Sequence, residues 1–193
     1  MAARPALFLD RDGVINVDYA YVHRPENFDF VNGIFELCRE AKRLGYRIFV
    51  VTNQAGIGRG YYTEQDFHDL TAWMRARLAE HGADVDAVYF SPYHPEHGIG
   101  PYKKGSDCRK PGAGMLRQAA AEFEIDFARS VLVGDKYSDI QAGVAAGVGR
   151  NLLFAQDGVA GHAPLAGVTA VLGSLREAVA HLQAAAGAPA RAA

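Results

Sequence analysis

Short apolar runs that each stop at a polar or acidic residue, with helical patterns between them, constrain this chain more than any other feature. The first, Leu7-Phe8-Leu9, delivers Asp10-Arg11-Asp12-Gly13 where a strand would end. Residues 46–53 repeat the arrangement and finish in Thr52-Asn53, residues 85–90 lead into a long loop, and residues 130–135 finish in Gly134-Asp135. Between the runs, Ile34, Leu37, Cys38, Ala41 and Leu44 recur at three and four, an amphipathic helix closed by Gly45. Thr63 as N-cap, with Asp66 three residues on, opens a second helix through Phe67, Leu70, Trp73, Met74 and Leu78. A third begins near Gly114, and a fourth carries Ile140 and Val144 to Ala146-Gly147. Such alternation predicts parallel pairing with right-handed crossovers: a doubly wound, mostly parallel α/β sheet, helices on both faces, its strand ends lined along one edge.

The rest of the chain completes that sheet. Residues 151–154 read as a fifth strand near the sheet edge and residues 168–172 as a short sixth, followed by a last helix with Ser174 as N-cap. At 193 residues the chain suits one domain, placed at 1–182, with no room for a second large one. Residues 183–193, rich in Ala, Gly and Pro, read as a flexible tail. Cys38 lies on a buried stripe and reads as packing, and two cysteines make no disulfide framework, which fits a reducing cytosol. With a net charge of −2 and no basic block, a general nucleic-acid binder is excluded and any anion site must be local. No apolar run approaches the span of a bilayer, so no membrane contact is expected, and the chain reads as cytoplasmic and monomeric.

In an open parallel sheet, ligands sit in the crevice outside the carboxyl ends of the strands. That edge collects Asp10, Asp12, Thr52, Asn53, Arg109, Lys110, Asp135 and Asp139. At i, i+2 in extended chain, Asp10 and Asp12 share a face while Arg11 turns away. Taken alone, the pair is equally a solvated turn; taken together, so many acids around one point repel unless a hard cation relieves them. Magnesium, with its oxygen ligands, is the simplest inference. Lys110 and the Thr52 hydroxyl then neutralise a phosphoryl group in flight, and a carboxylate nucleophile splits one displacement into two. Residues 18–28 read as an ordered aromatic loop beside the acids, residues 54–60 as a glycine-rich loop with exposed N–H groups, and residues 91–111 as a functional loop of about 20 residues. His94, His97 and Cys108 in that last loop invite zinc but lack the paired spacing of a structural site.

At these residues the chain resembles a known family. Asp10-x-Asp12-Gly13, Thr52 after an apolar strand, Lys110 before a helix, and Gly134-Asp135 with Asp139 are similar to the four motifs of haloacid-dehalogenase-type phosphohydrolases. Within that superfamily, residues 8–13, 51–60, 108–111 and 133–136 resemble the D-glycero-D-manno-heptose-1,7-bisphosphate 7-phosphatases, over about residues 7 to 154. The resemblance implies a Rossmann-like haloacid dehalogenase fold without a large cap, and hydrolysis of a small phosphorylated sugar through an aspartyl phosphate, in nucleotide-activated heptose synthesis for cell-surface polysaccharide. It implies Asp10 as nucleophile, Asp12 as general acid and then base, and Thr52 and Lys110 on the phosphoryl group. Magnesium would sit on Asp10, the Asp12 carbonyl and Asp135. The sugar bisphosphate would meet Asp18, Tyr19, Ala20, Tyr21, Asn53, Gln54, Ala55 and Arg109, with Lys136 in the same pocket and Arg59 adding charge. Zinc-bearing relatives carry Cys-x-His before the long loop and Cys-x-Cys after it; Ser91, Tyr93, Ser106 and Cys108 stand here, so no structural zinc is expected. Val14 replaces the usual threonine of the first motif.

Two other readings share parts of this pattern. Histidinol-phosphate phosphatases have much of the same motif set. A phosphoacceptor receiver domain also gathers aspartates, a threonine and a lysine around magnesium, but places its acidic pair differently and lacks an acid two residues past the nucleophile.

Overall fold

The computed structural model describes residues 3–155 and 166–187. Six strands form one parallel sheet in the order β3-β2-β1-β4-β5-β6. They are β1 (Ala6–Leu9), β2 (Arg47–Asn53), β3 (Ala87–Ser91), β4 (Val131–Gly134), β5 (Arg150–Phe154) and β6 (Ala170–Leu172). β5 therefore lies next to the edge and β6 forms it. The order reverses at β1: the chain winds outward through β2 and β3, then returns to place β4 on the other side, with Leu9 level with both Val50 and Val133. A crevice opens at that switch.

Helices cover both faces, as a continuous apolar strand requires. On one face Leu7, Leu9, Ile48, Val50, Val131 and Val133 pack with α1 (Ile34–Arg43), α3 (Glu64–Glu80) and α6 (Ala178–Ala186). On the other, Phe8, Phe49, Val51 and Leu132 pack with α4 (Gly114–Glu122) and α5 (Tyr137–Ala146). Cys38 is fully buried on α1, its thiol pushed up to about 12 by burial, so it packs rather than reacts. Thr63 and Asp66 form the expected capping box at the head of α3. Trp73 lies at the margin of the core, against Phe28 and Phe30, where it staples the 18–28 loop to α3.

Several expectations shift. The glycine-rich segment after β2 is not an open loop: it closes into a single turn, α2 (Ala55–Gly58). Its glycines serve close packing, since a Cβ at Gly58 would stand 2.4 Å from the Pro92 carbonyl oxygen. Ser174 caps a 3₁₀ turn, Leu175–Glu177, which runs into α6. That helix continues through Ala186, past residue 182 where a flexible tail was expected; its Ala185 is buried, and residues 188–193 lie outside the described residues.

Candidate active site

β1 stops at Leu9 because Asp10 turns its carboxylate into the crevice, where its Oδ1 lies 2.9 Å from the Lys110 Nζ. Lys110 arrives from the long loop before α4, and its ammonium also meets Asp139 Oδ1 at 2.6 Å and the Val51 carbonyl oxygen at 2.8 Å. All three donors of the ammonium are thus spent inside a site where Lys110 is 3% exposed. Burial works against its charge, but Asp10 and Asp139 outweigh it and hold the lysine above its ordinary pKa.

Asp135 follows β4 and closes the group: oxygens of Asp10, Asp135 and Asp139 all lie within 4.8 Å of one another. Burial pushes Asp10 up to about 7, against the pull of Lys110 and with help from Asp139 and Asp135. Burial likewise lifts Asp135 to about 6, against Lys136. Asp139 has both oxygens engaged, one by Lys110 and the other by the Lys136 N–H at 2.9 Å. Asp135 Oδ1 is buried without a hydrogen-bond partner, as is Asp139 Oδ1 apart from its ion pair with Lys110. A buried, unpartnered carboxylate oxygen beside a second crowded carboxylate is a donor set that fits a hard divalent cation. Gly13 makes the approach possible: its φ is +89°, and a Cβ there would fall 2.4 Å from Asp135 Oδ2.

Asp12 is separate from that acid group. Its carboxylate accepts from Asn16 Nδ2 at 3.0 Å, from Gln54 Nε2 at 2.9 Å and from Arg11 Nη2 at 3.0 Å to each oxygen. Arg11 was expected to turn away; instead its guanidinium curls back, also donating to the Val22 carbonyl at 2.6 Å, and is 1% exposed. The metal role expected of Asp12 fell on its main-chain carbonyl, and the carboxylate, spent on these donors, lies outside the group of acids that fits a cation.

Above this floor opens a cleft of about 610 Å³. Of the expected substrate residues, Asp18, Ala20, Tyr21, Asn53, Gln54, Ala55, Arg109, Lys110 and Lys136 line it. Tyr19 does not: it faces the neighbouring cavity, more than half exposed, with its hydroxyl on Asp29 Oδ2 at 2.8 Å. Thr52 sits one layer back, its Oγ1 accepting from Gln54 Nε2 at 2.8 Å. Asn53 lines the cleft, but its amide is committed to the Lys110 backbone, accepting from the N–H at 3.0 Å and donating to the carbonyl at 3.1 Å. Its side chain therefore fixes the Lys110 backbone from a position on the cleft lining.

Asp18 organises the near wall. It accepts from the Ala20 N–H at 3.0 Å and pairs with the Lys136 Nζ at 3.2 Å, while Ala20 and Tyr21 adopt left-handed φ values of 59° and 55°. On the far wall the sequence left His94 without a role and gave Arg59 only a share of the charge. Both line the cleft with Arg109, and among the described residues no acid forms an ion pair with any of the three. Burial, then Arg59, lowers the Arg109 pKa; burial, then Arg109, lowers that of His94. Two arginines facing one cavity, with the His94 ring beside them as a hydrogen-bonding group, provide for an anion. Among the described residues His94, His97 and Cys108 do not converge on a common point. The loop that carries them is tied down by hydrogen bonds from Ile99 N to Gly58 O, His94 N to Tyr102 O and Arg109 Nη1 to Tyr93 O.

Tyr62 has no role in the sequence reading, yet lines the cleft with its hydroxyl on Gln54 Oε1. Its position before the Thr63 cap, five residues ahead of the N4 residue Phe67, would have marked it as a hydrophobic staple.

Comparison with known proteins bears on this geometry. The HAD-hydrolase-like family model matches residues 107–178. A D-glycero-alpha-D-manno-heptose-1,7-bisphosphate 7-phosphatase of Burkholderia mallei is 60% identical over 149 residues, 77% of this chain and 79% of that protein. A D-glycero-beta-D-manno-heptose-1,7-bisphosphate 7-phosphatase of Escherichia coli K12 is 49% identical over 149 residues, 77% of this chain and 78% of its own length. Among solved structures, a D,D-heptose 1,7-bisphosphate phosphatase from B. bronchiseptica, complexed with magnesium and phosphate, aligns with a TM-score of 0.79 at 28% identity, over 93% of this chain and 98% of that one. A HAD-like phosphatase of Mesorhizobium loti aligns with a TM-score of 0.85 at 36% identity, over 99% of this chain and 91% of its own.

Proposed function

The chain belongs to the D-glycero-D-manno-heptose-1,7-bisphosphate 7-phosphatase family of HAD-like hydrolases, and from that premise we propose that it removes the 7-phosphate of D-glycero-D-manno-heptose 1,7-bisphosphate, in nucleotide-activated heptose synthesis for cell-surface polysaccharide. The observation that carries this reading is the Lys110 ammonium bridging Asp10 and Asp139 beside the unpartnered Asp135 oxygen, under a cleft with basic groups on its far wall. Two phosphates on one small sugar match two separate positive regions.

In this reading Asp10 attacks the phosphorus, the bond from phosphorus to the sugar oxygen breaks, and Asp12 gives its proton to that oxygen. The phosphoryl group is then an acyl phosphate on Asp10. Asp12, now ionised, takes a proton from water as the water oxygen attacks phosphorus, and Asp10 is released with inorganic phosphate. Lys110 and the Thr52 hydroxyl stabilise the equatorial oxygens. Asp10, Asp135 and the Asp12 carbonyl would hold magnesium, which would supply charge neutralisation at the phosphoryl oxygens. Arg109, with Arg59 and His94, holds the phosphate that does not react. Asp18, Ala20, Tyr21, Gln54, Ala55 and Lys136 form the sugar's surroundings.

The enzyme works as a cytoplasmic monomer without structural zinc, its long loop held by the hydrogen bonds described above. Among the described residues no helix is long and apolar enough to cross a membrane. Phosphate release is to be measured with magnesium on both anomers of the heptose bisphosphate, histidinol phosphate and fructose bisphosphate. Preference for a heptose bisphosphate is expected; preference for histidinol phosphate would overturn the substrate. Metal analysis of the purified protein is expected to find zinc well below one equivalent.

A further inference from the structure

The Asp12 carboxylate is held by an amide whose orientation is decided outside the catalytic group. Gln54 uses both Nε2 hydrogens, one toward Asp12 Oδ2 at 2.9 Å and one toward Thr52 Oγ1 at 2.8 Å, and its Oε1 accepts from the Tyr62 hydroxyl at 2.5 Å. Turning the amide over would set Oε1 against a carboxylate in a site where Gln54 is 1% exposed, leaving acceptor against acceptor. Burial pushes the Tyr62 phenol above its ordinary pKa, so the hydroxyl stays protonated as a donor. Thr52 gains as well: with Oγ1 accepting from Gln54, its own hydrogen is left to donate to a phosphoryl oxygen.

Tyr62 is itself fixed from three directions. It packs with Ile57 and Phe67 as the staple of α3. The His23 ring stacks on it at 5.0 Å and 5°. Gly56 leaves it room, since a Cβ there would fall 2.2 Å from the ring. A single hydroxyl thus joins the aromatic 18–28 loop and the head of α3 to the amide between the acid/base and the phosphate-binding hydroxyl.

We propose that Tyr62 is a positioning residue for phosphoryl transfer: its hydroxyl locks the Gln54 amide so that Asp12 and Thr52 are held in catalytic orientation. This rests on the roles given to Asp12 and Thr52 above. A generic aryl phosphate tests it without depending on the sugar. With p-nitrophenyl phosphate and magnesium, Tyr62→Phe, which keeps the ring, staple and stack, lowers kcat by roughly tenfold, less than the ~10²-fold a 1 Å misplacement can cost, and leaves KM within about twofold. Gln54→Met lowers kcat at least as far. The double variant is no worse than Gln54→Met by more than about twofold, because the hydroxyl acts only through the amide. Gly56→Ala, which displaces the same ring without removing the hydroxyl, gives a kcat loss that Gln54→Met likewise masks, and it answers a Tyr62→Phe protein that fails to fold. A Tyr62→Phe enzyme with the parent's kcat, or a double variant showing the product of the two losses, overturns this role alone. A parent enzyme inactive on every phosphate ester overturns the functional reading and this role with it.

Discussion

The floor and the far wall of the cleft are built on opposite principles. On the floor, Asp10, Lys110 and Asp139 are each at most 6% exposed, and every charge has a partner of opposite sign within 3 Å. On the far wall, Arg59, Arg109 and His94 face the cavity, and among the described residues no acid forms an ion pair with them. The floor has its charges paired and leaves only buried carboxylate oxygens of Asp135 and Asp139 without hydrogen bonds, so it is built to do chemistry on whatever reaches it. The wall is electrostatically incomplete, so it is built to be finished by the substrate. Asp10 and Asp135 follow strand ends and Asp139 heads α5, while the long loop before α4 serves both regions, with His94 and Arg109 on the wall and Lys110 on the floor.

Variants that break the floor have the largest effects. Asp10→Asn removes the nucleophile while keeping its size, and phosphate release falls by on the order of 10⁴-fold or more, with circular dichroism unchanged. Lys110→Met leaves Asp10 and Asp139 facing each other in a dry site; kcat falls by roughly 10²–10³-fold. Denaturant unfolding shows a loss of about 3–5 kcal/mol, the usual cost of an uncompensated buried charge. Activity that survives either change would move the chemistry elsewhere.

The floor also sets a pH dependence. Asp10 and Asp135 bind protons more tightly folded than unfolded, their values lifted to about 7 and about 6, chiefly by burial. Between the ordinary carboxylate range and those values the folded state holds more protons, so this contribution is full below about pH 4 and is lost as pH rises through 6 and 7. In metal-free protein the melting temperature is therefore expected to fall across that interval. Magnesium requires the ionised forms, so the shift it produces grows over the same interval. A magnesium shift that does not change with pH would contradict the crowded-acid account.

Changes to the walls are smaller and show in a different parameter. Arg109→Met or Arg59→Met raises KM for a sugar bisphosphate by roughly tenfold and leaves KM for a monophosphate within about twofold. Equal effects on both substrates would merge the wall with the floor. Smallest of all, Tyr19→Phe, which loses only a surface hydrogen bond to Asp29, changes kcat/KM by less than about twofold.

The same contrast decides what could be read without a structure. The floor was legible because each of its residues closes an apolar strand or opens a helix, and parallel topology leaves such residues one edge to occupy. Asp10, Lys110, Asp135 and Asp139 meet as that argument requires. What the sequence hid is how side chains are spent once there. Asn53 looks like a substrate contact but clamps the Lys110 backbone; Arg11 alternates away along a strand yet curls back to Asp12; Tyr19 sits in the right loop and faces another cavity. These outcomes depend on contacts between segments far apart in the chain, which neither periodicity nor spacing encodes. Residues 54–60 misled for a related reason: their glycines serve close approach to Tyr62 and Pro92, so the segment packs as a helical turn instead of standing open.

The central claim is that Asp10 carries the phosphoryl group. Enzyme quenched in acid during turnover, digested and weighed by mass spectrometry should show one added phosphoryl group on the peptide holding residues 7–16, and none in Asp10→Asn. Turnover without that adduct, or an adduct on the peptide of Asp135 and Asp139, would contradict the account.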